Sequence, residues 1–236
     1  MLVKRLREEV LEANLELVRK GLVLYTFGNA SGVDREQGLV VIKPSGVEYD
    51  VLRAEDMVVT DLEGKIVEGT LKPSSDLDTH TLLYREFAEI GAVVHTHSEF
   101  ATSFAQAGLA IPAFGTTHAD YFHGPVPVTA PLSDAAINGR YVHETGLAIV
   151  ARFQGGAGES MIDPMAVPAC LVAGHAPFVW GKTPADAAHH AVVLEAVAKM
   201  AYRTLTLKAS AEEVSQALLD RHYLRKHGAS ATYGQG

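Results

Sequence analysis

Two short apolar runs that each end in histidine constrain this chain more than any other feature of its sequence. The first, Ile90-Gly91-Ala92-Val93-Val94, leads directly into His95-Thr96-His97. Side chains along a strand alternate faces, so residues i and i+2 point the same way. His95 and His97 therefore project two imidazoles from one face at the end of a buried strand. The second run, Ala169-Cys170-Leu171-Val172-Ala173-Gly174, closes on His175 and continues into Ala176-Pro177-Phe178-Val179-Trp180. A single histidine in such a place is an ordinary core imidazole. An H-x-H pair with a matching third suits Zn2+, or a similar divalent ion such as Mn2+ or Co2+, with positions left open for a substrate.

The rest of the composition narrows the class. At 236 residues, with 47% hydrophobic and 20% charged residues, the chain has the makings of one globular domain, read here over 1–236. The net charge of −8, with basic residues grouped only in the short stretch Arg221 to Lys226, argues against a nucleic-acid or acidic-membrane partner. The single cysteine, Cys170, cannot form an internal disulfide and sits in an apolar run, which fits a reducing, cytoplasmic setting. Met1 to Lys20 mixes charges with apolar residues at helical spacing (Leu6, Val10, Leu17) and reads as a helix rather than a signal peptide. No stretch has the ~20 apolar residues of a membrane span.

Hydrophobic periodicity and turn chemistry predict an opening helix to about Lys20. Extended segments follow over Leu22 to Phe27, Gly38 to Ile42, and Met57 to Val67 with a hairpin turn at Glu63-Gly64. Ser74-Ser75-Asp76 caps a helix running to about Glu89. After the His95 strand come a helix over Ala101 to Ala107, a strand near Val126 to Thr129 and a helix over Asp134 to Thr145. A glycine-rich turn, the strand pair around His175, a long helix over Pro184 to Leu205, another over Ala211 to Arg225 and a tail from Gly228 complete the chain. Strands and helices mix without regular βαβ alternation, so the expectation is an α/β fold with a mainly antiparallel sheet covered by helices.

Three segments have the makings of an anion cradle: Gly28-Asn29-Ala30-Ser31, Lys43-Pro44-Ser45-Gly46 and Lys72-Pro73-Ser74-Ser75-Asp76. Small residues let backbone N–H groups approach a phosphate, and hydroxyls, a lysine and a helix N-terminus add to the attraction. Taken singly, each is equally a plain turn. Neither G-x-G-x-x-G nor G-x-x-x-x-G-K-[ST] occurs, so a dinucleotide site or Walker loop is not supported. Thr116-Thr117-His118-Ala119-Asp120-Tyr121 is dense in acid–base and hydrogen-bonding groups, as a catalytic loop or a polar corner would be. The polar stretch from Arg221 to Gly228, and Tyr233-Gly234-Gln235 beyond it, taken alone reads as a solvated terminus.

Together these motifs resemble the class II aldolase/adducin-like family, and within it the L-ribulose-5-phosphate 4-epimerases. The likeness runs from Leu11-Glu12-Ala13-Asn14-Leu15 to Tyr233-Gly234-Gln235. It takes in Gly28-Asn29, Lys43-Pro44-Ser45-Gly46-Val47, Lys72-Pro73-Ser74-Ser75-Asp76 and His95-Thr96-His97-Ser98, shared across the wider family. Gly115-Thr116-Thr117-His118-Ala119-Asp120-Tyr121-Phe122 and His222-Tyr223-Leu224-Arg225-Lys226-His227-Gly228-Ala229 mark the epimerase branch. One departure is that Ala173-Gly174-His175-Ala176-Pro177-Phe178 stands where the family often has His-Ser-His-Gly-Pro-Phe.

The resemblance implies a three-layer α/β/α fold around a central antiparallel sheet, and a C4 homotetramer with active sites between neighbours. It implies a divalent ion on His95, His97 and His175, with Asp76 as a further ligand or neighbour. The substrate phosphate would lie among Gly28, Asn29, Lys43, Ser45, Gly46, Ser74 and Ser75. Asp120 from within the subunit and Tyr233 from its neighbour, supported by His222, would handle protons on opposite faces of an aldehyde. The implied chemistry has a reason. The hydrogen at C4 of a 2-ketopentose 5-phosphate is not acidic, so inversion needs either a nicotinamide oxidation or cleavage and re-formation of C3–C4. A chain with Lewis-acid ligands and no dinucleotide fingerprint points to the second.

Overall fold

The computed structural model describes residues 1–158, 160–228 and 231. Seven strands form one sheet: β1 (Asn29–Asp34), β2 (Leu39–Ile42), β3 (Val58–Asp61), β4 (Ile66–Glu68), β5 (Ala92–His95), β6 (Ala169–Leu171) and β7 (Pro177–Gly181). Their order is β4-β3-β2-β1-β5-β7-β6, with every neighbouring pair antiparallel. The described residues also form α1 (Lys4–Arg19), α2 (Leu77–Glu86), α3 (Glu99–Ala107), α4 (Thr116–Ala119), α5 (Asp134–Asn138), α6 (Tyr141–Phe153), α7 (Pro184–Leu207) and α8 (Gln216–His227). None is long and apolar enough to cross a membrane.

Period-two alternation sorts the strand residues into two cores. Ala92, Val94 and Val179 join Val10, Leu17, Phe104, Leu194 and Ala198 from α1, α3 and α7. Val93, Phe178 and Trp180 join Leu82, Leu83, Ile149 and Phe153 from α2 and α6. The expected helix–sheet–helix layering follows. Register then sets the site: Asn29 pairs with His95, and His95 with Phe178, so one row of side chains crosses three adjacent strands at the same end.

Several boundaries differ from expectation, each for a local reason. Leu22 to Phe27 is not a strand. Tyr25 adopts φ 52°, which breaks an extended run, and Leu24 and Tyr25 are exposed. The Gly28-Asn29 segment consequently does not follow a strand; Asn29 opens β1. Small polar residues hold that strand because β1 is paired on both sides, by β2 and β5. Gly28 takes φ 78° where an added Cβ would stand 2.7 Å from the His95 carbonyl, so glycine lets the entering chain pass against β5. Val126 to Thr129 makes only single bridges, Ile111 to Val126 and Val128 to Leu171. Pro125 and Pro127 lack the N–H donors a full ladder needs. The helix expected over Asp134 to Thr145 is two helices, broken at Gly139 and Arg140, and α6 runs on to Phe153 because its apolar face packs against α2. Helix α8 begins at Gln216 rather than Ala211, where the Ser215 hydroxyl accepts from the Leu218 N–H.

Candidate active site

His95 ends β5, His97 lies two residues on, and His175 occupies the tight turn joining β6 to β7. That turn is closed by Val172 N–H donating to the Ala176 carbonyl and His175 N–H to that of Val172, with Gly174 at φ 70°. One nitrogen from each of His95, His97 and His175 lies within 4.8 Å of the others. Nδ1 of His95 meets the Pro177 carbonyl at 2.9 Å, an acceptor that fixes the proton on Nδ1 and turns the Nε2 lone pair inward. That Nε2 stands 3.1 Å from Nε2 of His97. Nδ1 of His175 is buried with no partner among the described residues. Burial drives His95 down to about 3 and also lowers His97 and His175, so all three are neutral imidazoles at neutral pH. Converging lone pairs on neutral imidazoles fit a divalent cation.

Asp76 stands beside this cluster, at the start of α2. Its carboxylate accepts from the Asn29 amide at 2.7 Å, and the same amide donates to the Ser74 hydroxyl at 3.0 Å. Burial works to raise the Asp76 carboxyl, but His95, His80, the Asn29 amide and His175 together hold it below the usual carboxylate range. Three histidines form the compact group, and Asp76 is their acidic neighbour.

The three small-residue segments meet at one cleft of ≈ 590 Å³, bordered by Gly28, Asn29, Lys43, Ser45, Gly46, Ser74, Ser75, Asp76, His95, His97 and His175. Loops 43–46 and 72–75 are zipped together: Ser45 N–H donates to the Lys72 carbonyl and Ser74 N–H to that of Lys43. Those two backbone donors are thus spent on the fold, contrary to a cradle in which every small residue offers its amide to an anion. Lys43 supplies the positive charge. Its ammonium donates to the Val47 carbonyl at 2.7 Å and lies 4.6 Å from the centre of the Tyr49 ring. Burial lowers it to about 8, leaving it charged at neutral pH. The Asn29 side-chain amide oxygen, like His175 Nδ1, is buried with no partner among the described residues. The cleft also takes Phe27 and Tyr141, which the sequence did not single out; the Tyr141 ring centre is 6.1 Å from that of His175.

Asp120 and His222 meet elsewhere. Asp120 follows α4, which packs on α8. Its carboxylate accepts from His222 Nδ1 at 3.0 Å and from Arg225 at 3.0 Å, with the Lys226 ammonium at 3.7 Å. Burial acts to raise this carboxyl, and the bonds from His222 and Arg225 more than offset it, so it lies below its usual range. Neither residue is among those bordering the cleft, so within one chain the expected contribution of Asp120 to the histidine site is not assembled. Arg225 and Lys226 carried a signal that could have found them, since residues 222, 225 and 226 share one helix face. Tyr233 lies outside the described residues.

The family model for the class II aldolase and adducin N-terminal domain matches residues 8–202. Among solved structures, an L-fuculose 1-phosphate aldolase superposes with a TM-score of 0.76 at 23% identity, covering 96% of this chain and 98% of that one. YgbL from Klebsiella pneumoniae gives 0.70 at 23% identity, covering 94% and 99%. The L-fuculose-1-phosphate aldolase from Thermus thermophilus gives 0.67 at 24% identity, covering 87% and 98%. The antiparallel sheet and its helical layers are the fold these structures share, and with the family model spanning most of the sequence, the chain belongs to the class II aldolase/adducin family.

Proposed function

We propose that this protein is a metal-dependent epimerase that interconverts L-ribulose 5-phosphate and D-xylulose 5-phosphate by breaking and re-forming C3–C4, as a cytoplasmic homotetramer. The observation that carries the metal-dependent sugar-phosphate reading is one cleft in which three neutral imidazoles face Lys43 and the small-residue loops. A divalent ion on His95, His97 and His175, with Zn2+ the first candidate, supplies Lewis acidity for the charge that develops on the ketose oxygens.

The chain's own groups do the rest. Lys43, Asn29 and the hydroxyls of Ser45, Ser74 and Ser75 bind the phosphate, with Gly28 and Gly46 giving the backbone room. Holding the two-carbon aldehyde fragment by its phosphate lets its carbonyl turn before re-addition. Inversion then needs a proton carrier on each face, and Asp120 and Tyr233 take those roles, with His222 bonded to Asp120. Support for the epimerase reading comes from the pairing of Asp120 with His222, which joins the two segments that mark that branch. Because this pair does not border its own chain's cleft, we place it over a neighbour's.

The test is to incubate metal-loaded protein with L-ribulose 5-phosphate, without nicotinamide, and look for D-xylulose 5-phosphate. The likeness to L-fuculose 1-phosphate aldolase favours a second reading, a sugar-phosphate aldolase that releases its products. Free aldehyde and dihydroxyacetone phosphate accumulating from L-fuculose 1-phosphate, with no epimerisation, would establish that reading instead.

A further inference from the structure

Behind the histidine cluster runs a row of polar side chains, most of them fully buried. Asp76, His80 and Tyr84 recur at four-residue spacing, which puts them on one face of a helix. Opposite them, Asn29 and Ser31 share one face of β1. The two rows are joined rung by rung: Asn29 to Asp76 at 2.7 Å, Ser31 to His80 Nδ1 at 2.7 Å, and Ser31 to the Tyr84 hydroxyl at 2.6 Å. Ser31, His80 and Tyr84 are each 0% exposed, and Leu82, Leu83, Val93 and Trp180 fill the same layer with apolar atoms.

A hydrophobic trio would suit this layer at least as well, because buried polar groups favour a fold only when every member is satisfied. This row is not fully satisfied. Whichever way the protons run along Tyr84–Ser31–His80, Nε2 of His80 is left buried with no partner among the described residues. The same imidazole meets Phe178 edge-on, ring centres 6.0 Å apart, and Phe178 stacks on His95 at 4.2 Å. His80 thus braces one imidazole of the cluster through Phe178 and stands one helical turn behind Asp76.

We propose that His80 is a positioning residue for the metal centre, oriented by Ser31 and Tyr84, and that it holds the Asp76 end of α2 and the His95–Phe178 stack in the arrangement that binds the ion. This rests on the proposed function only in requiring that the cleft take a divalent cation. Outer partners of metal ligands commonly matter by about 10- to 100-fold in affinity.

The experiment titrates the full-length apoprotein with Zn2+ in competition with a chromophoric chelator, and with Co2+ followed by its visible absorption. The thermal midpoint of each apoprotein is measured alongside. His80→Phe is expected to weaken Zn2+ about 10- to 100-fold and to alter the Co2+ spectrum, while the apoprotein midpoint holds or rises. Tyr84→Phe, which keeps the ring and loses the hydroxyl, is expected to weaken Zn2+ by a smaller factor in the same direction. It serves as the second variant if His80→Phe does not fold. Unchanged Zn2+ affinity and Co2+ spectrum in the variants, with wild type binding normally, would overturn the positioning role and leave the proposed function standing. Wild type that binds neither ion would overturn both. Wild type that binds metal but does not epimerise would remove the epimerase reading alone.

Discussion

The histidine cleft and the Asp120 cluster are built on opposite principles. In the cleft, strand register holds neutral imidazoles, with His95 nearly inaccessible at 2% exposure. Its geometry comes from one chain, through pairings that also hold the core. At Asp120, four side chains gather by charge and hydrogen bonding where α4 meets α8; the Asp120 side chain is 14% exposed and only that of Arg225 reaches 42%. A pair with a partner as exposed as Arg225 contributes little to folding. The difference teaches that strand pairing can preform a cluster of imidazoles within one chain, whereas Asp120 is held by side-chain contacts between two helices, away from that cluster.

The largest expected effect separates the two regions outright. His97→Asn should lose bound metal and all measurable turnover while the apoprotein keeps its fold, because one ligand leaves a preformed site. Metal analysis with circular dichroism checks this; normal metal content and activity would dismiss the cleft as a metal site. Next, Asp120→Asn and Tyr233→Phe should each keep full metal content and lower kcat by roughly 10²–10⁴, the usual worth of one positioned acid or base. Mixed oligomers of the two inactive variants should regain activity if sites form between subunits. Verified mixed assemblies that stay inactive would return the whole site to one chain.

Smaller effects sharpen the contrast. Lys43→Met should raise KM about 10- to 100-fold with little change in kcat, as for a charge-assisted bond made equally in ground and transition states. Since burial holds the wild-type lysine at about 8, its charge is present below that pH and lost above it. KM should therefore climb as pH rises through about 8, and Lys43→Met should lack that climb. A kcat loss at constant KM would place Lys43 in the chemistry. Smallest of all, Arg225→Ala should cost up to about fivefold, the worth of one exposed ion pair. It should also move the acid limb of kcat/KM to higher pH, because a donor that lowers the Asp120 carboxyl is gone. An unmoved limb would mean that Asp120 does not set it.

Much of the cleft was legible in the sequence because its signals are local. An i, i+2 histidine pair after an apolar run predicts two imidazoles on one side, and they do converge although His97 lies just beyond β5, while clusters of glycine, serine and lysine announce tight loops. The layered sheet was legible from its irregular alternation of short apolar runs and amphipathic stretches. What escaped depends on partners far along the chain. Asn29 to Asp34 is a poor strand by composition and becomes one because β2 and β5 flank it. The break at Gly139 and Arg140 turns the following helix so that Tyr141 borders the cleft, a consequence no local pattern states. The polar spacing of Asp76, His80 and Tyr84 was visible, but its burial against Ser31 was not. That Asp120 misses its own cleft is a fact of tertiary placement, and no run of residues encodes it alone.

The placement of His175 in the β6–β7 turn has a further consequence. His95 ends a central strand and His97 follows just beyond it, whereas His175 arrives only after much of the chain has been laid down and the last hairpin has closed beside β5. Bringing such distant positions together costs loop entropy, which only a folded sheet has already met. An ion gripped by all three would act as a removable cross-link between the hairpin and the middle of the sheet, and only chains with β5 and β7 in register could offer three converging nitrogens. Metal uptake would then double as proofreading, marking correctly registered molecules and locking them against local opening of the hairpin.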